Sequence, residues 1–168
     1  MSLRTDSSIL KCSTLDDKWR TYLVQQIRRG GTSLLALLSE LDESNRKIVV
    51  LTTSIKNRKS IAHYLAKYAS EPVFTDIFKN TCIHEELLKL LQYRDIYGNL
   101  PIHYAVENKE AIAIVDIILK TFPNQKNEPG RKGRNLIQIA ASKGKRDLFN
   151  YLKPITGQLT MIFCIHFF

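Results

Sequence analysis

Residues 95–119 read DIYGNLPIHYAVENKEAIAIVDIIL and contain the clearest structural pattern of the chain. It opens with Asp95 and Gly98, which are typical of a turn. Pro101 then suits the first turn of a helix, where its missing N–H leaves no hydrogen bond unmade. The stretch therefore predicts a turn followed by a short helix that carries His103.

A second helix follows after a polar break at residues 107–110. Its apolar residues recur at the spacing of one buried helical face, at Ala111, Ile114, Val115 and Ile118. Three more apolar residues widen this stripe, Ile112, Ile117 and Leu119. We therefore expect neighbouring elements to cover this helix on more than one side.

The order of turn, short helix, break and apolar helix resembles the ankyrin repeat, whose signature is G-x-T-P-L-H-x-A. Residues 98–105 read GNLPIHYA, with Leu100 in the place of the family threonine. The resemblance implies an all-α fold, a short ankyrin-repeat solenoid of stacked helix-turn-helix units joined by hairpin loops. In the family, the threonine hydroxyl caps the first helix and bonds to the signature histidine. Since leucine is a weaker cap by about 0.5–2 kcal/mol, we expect the backbone or a neighbouring loop to satisfy His103.

An earlier stretch shares this pattern. Residues 58–65 align with residues 98–105 and place His63 under His103, 40 positions before it. Ankyrin repeats run to about 33 residues. We therefore expect this unit to carry an insertion, an extra helical turn or two within residues 79–91.

A later stretch, residues 132–144, also fits the family pattern. It has glycine at both family positions, and Gln138 replaces the histidine, 35 positions after the preceding one. Ser60 and Asn135, which are good N-caps, hold the threonine position in the earlier and later stretches. The second helix of the later unit is expected at about residues 145–153 and should stop at Pro154.

The resemblance divides a domain of residues 15–157 into units at about residues 15–42, 56–92, 93–125 and 130–154. The first unit lacks the signature and is predicted to be an N-terminal capping helical hairpin. A generic helical hairpin is the alternative. Residues 1–14 remain unassigned. The apolar tail, residues 158–168, is predicted either to fold back as a cap or to stay a sticky, disordered or membrane-seeking end.

Composition limits the class of protein. The chain has 168 residues, of which 44% are hydrophobic, and a net charge of +9, which fits one globular domain. Its three cysteines have no C-x-x-C spacing, so we expect a reducing compartment, the cytoplasm or the nucleus. Two isolated C-x-H pairs are weak signs of zinc, and no metal is expected. No signal peptide is visible, and the longest apolar run is too short for a transmembrane segment.

His63 and His103 are the residues that an enzyme or a metal site would use. They recur at equivalent positions of the pattern, which is typical of structural residues. No nucleophile–base pair, paired carboxylates or phosphate-binding loop stands near them in the sequence. We therefore predict a protein without enzymatic activity and without a cofactor.

The resemblance implies a non-catalytic protein–protein interaction module. Ankyrin units bury their second helices and present the hairpin loops and a concave face to partners. The residues predicted to contact a partner are Lys56, Arg58, Lys59, Arg94, Tyr97, Asn99, Tyr104, Arg131, Lys132 and Arg134. For any one of them, a solvated polar edge is the plainer interpretation.

The charge distribution favours an acidic partner protein. Residues 120–153 contain nine lysines and arginines but only two acidic residues, so they hold most of the net positive charge. Within this range Arg131, Lys132 and Arg134 fall on a hairpin loop. A second basic group at residues 143–146 falls about 14 Å away, at the other end of the intervening helix, and is not expected to form one patch with the first.

Two other functions stay open. Direct binding of nucleic acid or an anionic membrane surface is suggested by the net charge of +9. It is disfavoured by poor interleaving of aromatic and basic residues and by the lack of a nucleic-acid-binding motif. A narrower form of the interaction hypothesis is an inhibitor that sequesters a transcription factor. The few, irregular, insertion-bearing units are similar in architecture and length to the inhibitor-of-NF-κB proteins.

Overall fold

The computed structural model describes residues 17–29, 57–79 and 84–156, together with positions 36, 39, 40, 42 and 44. Its helices in these ranges are α1 (Asp17–Arg28), α2 (Ile61–Tyr68), α3 (Glu71–Lys79), α4 (His84–Leu90), α5 (Pro101–Ala105), α6 (Ala111–Thr121), α7 (Leu136–Ser142) and α8 (Arg146–Thr156). Two 3-10 turns, Pro123–Lys126 and Arg131–Gly133, connect α6 to α7. No β-strand occurs in this part of the chain, which confirms the all-α prediction for it.

The helices pack in two layers. In one layer α1 packs against α2, α2 against α5, and α5 against α7. In the other layer α3 packs against α6, and α6 against α8. The pairs α5–α6 and α7–α8 also pack against each other across the layers. Two successive helix pairs, α5–α6 and α7–α8, are therefore packed in the same way.

Helix α4 is the additional helix that the long spacing between the two histidines predicts within residues 79–91. It packs against α2 and α3 and buries Leu87 completely. The insertion thus adds a helix beside one unit without separating α2 from α5, which remain in contact.

The predicted apolar face of α6 is correct, and of the three residues predicted to widen it, Leu119 is buried and Ile117 packs against the core. Ile114, Val115 and Ile118 are fully buried, and Leu119 is almost so. In contrast, Ile112 is 38% exposed. It precedes Ile114 by two residues, which turns its side chain about 200° around the helix axis, away from the buried face.

The first helix of each unit begins with one recurring hydrogen bond. The backbone N–H of the residue before the helix donates to the side chain three positions later. The pairs are Ser60 to His63 Nδ1 (3.1 Å), Leu100 to His103 Nδ1 (2.9 Å) and Asn135 to Gln138 Oε1 (3.1 Å). The backbone of Leu100 therefore satisfies His103 Nδ1, as expected for a unit without the capping threonine.

The prediction that the last helix stops at Pro154 is wrong. Helix α8 continues to Thr156, with Pro154 inside its last turn. Proline removes only its own N–H donor. Residues 155 and 156 keep theirs, and so the helix can continue for two more residues.

Several predictions concern residues outside the described ranges. They are the N-terminal segment 1–14, most of the second helix of the capping hairpin, the apolar tail 158–168 and the side chain of Lys56. Among the helices that the structure does describe, none has the length and apolar character needed to cross a bilayer.

Candidate interaction surface

Three loop segments, at residues 57–60, 93–99 and 128–135, are joined by buried histidines. His63 Nε2 lies 3.2 Å from the carbonyl oxygen of Asn99, and His103 Nε2 lies 3.0 Å from that of Glu128. Since each Nδ1 accepts a backbone N–H, each Nε2 must carry the proton and donate. Each histidine therefore links the helix of its own unit to the loop of the next.

Burial keeps both imidazoles neutral. Loss of solvent lowers the pKa of His63 from 6.5 to about 4, and burial also lowers the pKa of His103. In the described residues, no group of three or more His, Cys, Asp or Glu side chains could hold a metal ion. Both ring nitrogens of each histidine are engaged within the fold, which gives these residues a structural role.

A buried aspartate shapes the middle loop. Asp95 is 4% exposed, and its Oδ1 accepts the backbone N–H groups of Tyr97 and Asn99, both at 2.9 Å. Its Oδ2 accepts the hydroxyl of Tyr104 at 2.6 Å. Burial, followed by this hydrogen bond to the carboxylate, raises the pKa of Tyr104. The loop is thus held in one conformation by hydrogen bonds to a buried carboxylate.

Two of the predicted contact residues are engaged in joining loops. Asn99 is 8% exposed, and its Oδ1 accepts the backbone N–H of Arg131 in the next loop at 2.8 Å. The Arg94 guanidinium donates to the carbonyl oxygen of Pro129 at 2.7 Å and pairs with the carboxylate of Glu128. Their contacts hold neighbouring loops together.

Gly130 occupies the tightest point between these loops. A Cβ at this position would lie 2.8 Å from Asn99 Oδ1 and 2.9 Å from His103 Cδ2. Its φ of −99° is open to any residue, so the constraint is space rather than backbone strain.

We expect Gly130→Ala to lower the free energy of unfolding by about 1–3 kcal/mol, because the extra methyl forces the two loops apart. Urea denaturation measures the change. Asn127→Ala, at an exposed position of the same connection, should stay within about 0.5 kcal/mol of the parent. Equal stability of Gly130→Ala and the parent would contradict this tight packing.

Three basic side chains lie over aromatic rings of another unit or loop. The guanidinium carbon of Arg58 lies 5.6 Å from the ring centroid of Tyr93, that of Arg131 lies 4.9 Å from Tyr97, and Lys59 Nζ lies 4.2 Å from Tyr104. Burial of the Lys59 amine lowers its pKa. Basic and aromatic residues are poorly interleaved in the sequence, but in the structure these three pairs are in contact. The partners lie far apart in the chain and meet only when the units stack.

The predicted contact residues differ in what they offer to a partner. Arg58, Arg131, Lys132 and Arg134 are exposed, and Tyr97 is 47% exposed. Lys59 and Tyr104 are half-buried against each other. Sequence reasoning missed Ile96, which is 50% exposed beside Tyr97. An apolar residue at the tip of a predicted turn is the signal that could have found it.

The second basic group, at residues 143–146, makes contacts within the fold. Glu107 binds Lys67 of the preceding unit at 2.5 Å and Lys143 of the following unit at 2.9 Å. Burial alone would raise the pKa of Glu107, but the hydrogen bonds and charges of both lysines outweigh it and lower that pKa. Lys145 Nζ lies 3.4 Å from the carbonyl oxygen of Asn108. Lys143 and Lys145 therefore bind the preceding unit, and they lie at the opposite end of α7 from the loop cations.

Comparison with known proteins places the fold. No protein-family model matches the chain. It is 25% identical over 128 residues to the human activating signal cointegrator 1 complex subunit 3, an alignment that covers 76% of this chain but only 6% of that protein. It is also similar to a chain in the crystal structure of the yeast ribosomal protein Rps3 in complex with its chaperone Yar1. That match has a TM-score of 0.67, 17% identity, and covers 82% of this chain and 93% of the other. At this identity the likeness concerns the fold alone.

Proposed function

We propose that this chain is an ankyrin-type repeat protein and that it binds another protein without catalysing a reaction. The repeated helix pairs, the GNLPIHYA stretch and the bond from each histidine to the next loop support the ankyrin assignment. Protein binding is consistent with the similar fold found in a structure of a chaperone in complex with a ribosomal protein. A reducing compartment, the cytoplasm or nucleus, remains the proposed location.

The interaction proposal rests on the contrast between the buried groups that hold the loops and the exposed residues at their tips. Their backbones are held by the buried groups Asp95, Asn99, His63 and His103. Their tips nevertheless expose arginines and a tyrosine, residue types that dominate binding energy at protein interfaces. A rigid base with exposed anchors lowers the entropic cost of association. The excess of positive charge at the tips favours a partner with an acidic surface.

Neutralising the exposed loop cations tests this proposal. The variant carries Arg58→Ser, Arg131→Ser, Lys132→Ser and Arg134→Ser. We expect a protein captured from eukaryotic lysate with the parent chain, and then purified, to associate at least about tenfold more slowly with the variant, with a weaker salt dependence. Biolayer interferometry measures the rates, and the melting temperature should change little.

The matched control removes four exposed cations that lie away from these loops, by Lys89→Ser, Lys109→Ser, Lys120→Ser and Arg146→Ser. It should associate nearly as fast as the parent, apart from a general charge effect. Equal slowing by both variants would mean that net charge, and not this surface, governs binding. No loss in the loop variant would place the partner elsewhere on the chain.

The stacked cation–aromatic pairs favour nucleic acid as a second candidate ligand, since bases stack on tyrosine and arginine. An anionic membrane surface is the other alternative that charge supports. Fluorescence anisotropy with a random single strand and a random duplex tests the first, and vesicles containing phosphatidylserine test the second. A steep fall in affinity with salt, with no protein partner recovered, would favour these alternatives.

Sequestration of a transcription factor is a narrower form of protein binding for which the comparisons offer no support.

A further inference from the structure

Arg58 has a left-handed backbone conformation at a position where the next two loops have glycine. Its φ is +53°. The equivalent positions two residues before the next first-helix caps are Gly98, at φ +78°, and Gly133, at φ +70°. Left-handed backbone is unfavourable for a residue with a side chain but open to glycine. Residues held in such conformations cluster at functional sites.

The contacts of Arg58 within the fold are weak. Its guanidinium lies over the ring of Tyr93, 5.6 Å from the centroid, and bonds to the Tyr93 hydroxyl at 3.1 Å, in an exposed position where such contacts add little. The side chain itself remains exposed. Glycine would adopt this backbone conformation at a lower energetic cost. The arginine therefore points to an interaction with a group outside the described residues.

Arg58 lies at one end of a continuous row of loop tips. The backbone N–H of Ile96 donates to the carbonyl oxygen of Asn57, directly before Arg58, at 3.1 Å. Beside Ile96, Tyr97 is covered on one face by Arg131 of the next loop. Two of the most exposed large hydrophobic side chains in the described ranges, Ile96 and Tyr97, thus lie between two arginines.

The carboxylates of these loops do not offset the arginines. Asp95 is buried, and its two oxygens accept hydrogen bonds from the loop backbone and from Tyr104 of α5. Glu128 pairs with Arg94. The exposed surface of the described tips therefore combines an apolar centre with positive flanks.

We propose that this row, Arg58, Ile96, Tyr97 and Arg131, binds an acidic segment of a partner protein in which a large apolar side chain lies between acidic residues. The inference rests on the proposed protein-binding function and names the chemistry of the partner. Arginine pairs with carboxylates in a bidentate geometry, and Ile96 and Tyr97 give the apolar side chain a surface to cover. A protein segment is favoured over nucleic acid because the exposed Ile96 gives an apolar side chain a surface to cover and offers a base no stacking face.

A labelled peptide tests the chemistry directly. The probe is fluorescein-labelled Asp-Glu-Phe-Glu-Asp, compared with a form in which alanine replaces phenylalanine and a form in which lysines replace all acids. At low salt we expect the first to bind, the alanine form to bind about tenfold more weakly, and the basic form not to bind. Fluorescence anisotropy measures all three.

Two variants separate binding from folding. Arg58→Gly should raise the melting temperature by about 2–8 °C, because it relieves the left-handed strain, and yet weaken the peptide about fivefold or more. Ile96→Ser should weaken the phenylalanine peptide about tenfold while leaving the alanine form nearly unchanged. Lys89→Ser, on α4, is the control and should change neither property.

Three results would overturn the inference. They are unchanged affinity in Arg58→Gly, equal binding of the phenylalanine and alanine peptides, and tighter binding of a random single-stranded DNA that competes with the peptide. Failure of the peptide can be distinguished from failure of the proposed function. If the captured partner still depends on the loop cations while no acidic peptide binds, protein binding stands and only the partner chemistry is wrong.

Discussion

His103→Ala should lower the free energy of unfolding by about 2–4 kcal/mol. The substitution leaves the backbone N–H of Leu100 and the carbonyl of Glu128 without their side-chain partner. A buried polar group left unpaired costs about 1–3 kcal/mol. Loss of the ring also opens space where Gly130 packs against it. Urea denaturation at neutral pH, with the m-value compared between proteins, measures the effect.

The chain supplies its own control for this experiment. In the next unit, Gln138 Oε1 accepts the equivalent backbone N–H, that of Asn135, at 3.1 Å. His103→Gln can therefore restore the bond to Leu100 and should recover about half of the lost stability. If the alanine variant were as stable as the parent, the link between the loops would contribute nothing. Equal losses in the alanine and glutamine variants would assign the effect to the ring and its bond to Glu128, and not to the bond with Leu100.

Acidification from pH 6.5 to pH 4 should remove about 3 kcal/mol of stability through His63 alone. Burial holds the pKa of the folded state near 4, while the unfolded chain protonates at the ordinary value of 6.5. The unfolded state therefore binds the proton more tightly across this window. The stabilisation is fully present above pH 6.5 and is lost as the pH falls through 4. His103, whose pKa is also lowered, acts in the same direction.

Unfolding free energies at pH 7, 5.5 and 4.5 test this dependence. The double variant His63→Gln, His103→Gln should be less stable at pH 7 but should show a much flatter profile between pH 7 and 5, where its carboxylates remain charged. Glu107, whose pKa is lowered by its two lysines, contributes in both proteins and only at the acidic end. A parent protein with constant stability from pH 7 to 4.5 would show that the histidines are not held neutral.

The sequence predicted features that depend on local geometry. The buried face of α6 follows from the helical period, since Ile114, Val115 and Ile118 must lie on one side of any helix formed there. The extra helix α4 follows from the long spacing between the histidines. Because Leu100 has no polar side chain to bond to His103, the sequence predicted that the backbone or a neighbouring loop satisfies this histidine, and both do. Each of these inferences needs only the chain direction and the geometry of a helix or turn.

The tertiary structure alone decided which loop residues are free for a partner. Asn99 and Arg94 resemble their exposed neighbours in the sequence, yet they join one loop to the next. The cation–aromatic pairs join positions such as Arg58 and Tyr93, which meet only because one unit stacks on another. The helical period is a property of the local backbone and can be read along the chain. Contacts between units depend on how one pair of helices is offset against the next, which no local pattern encodes.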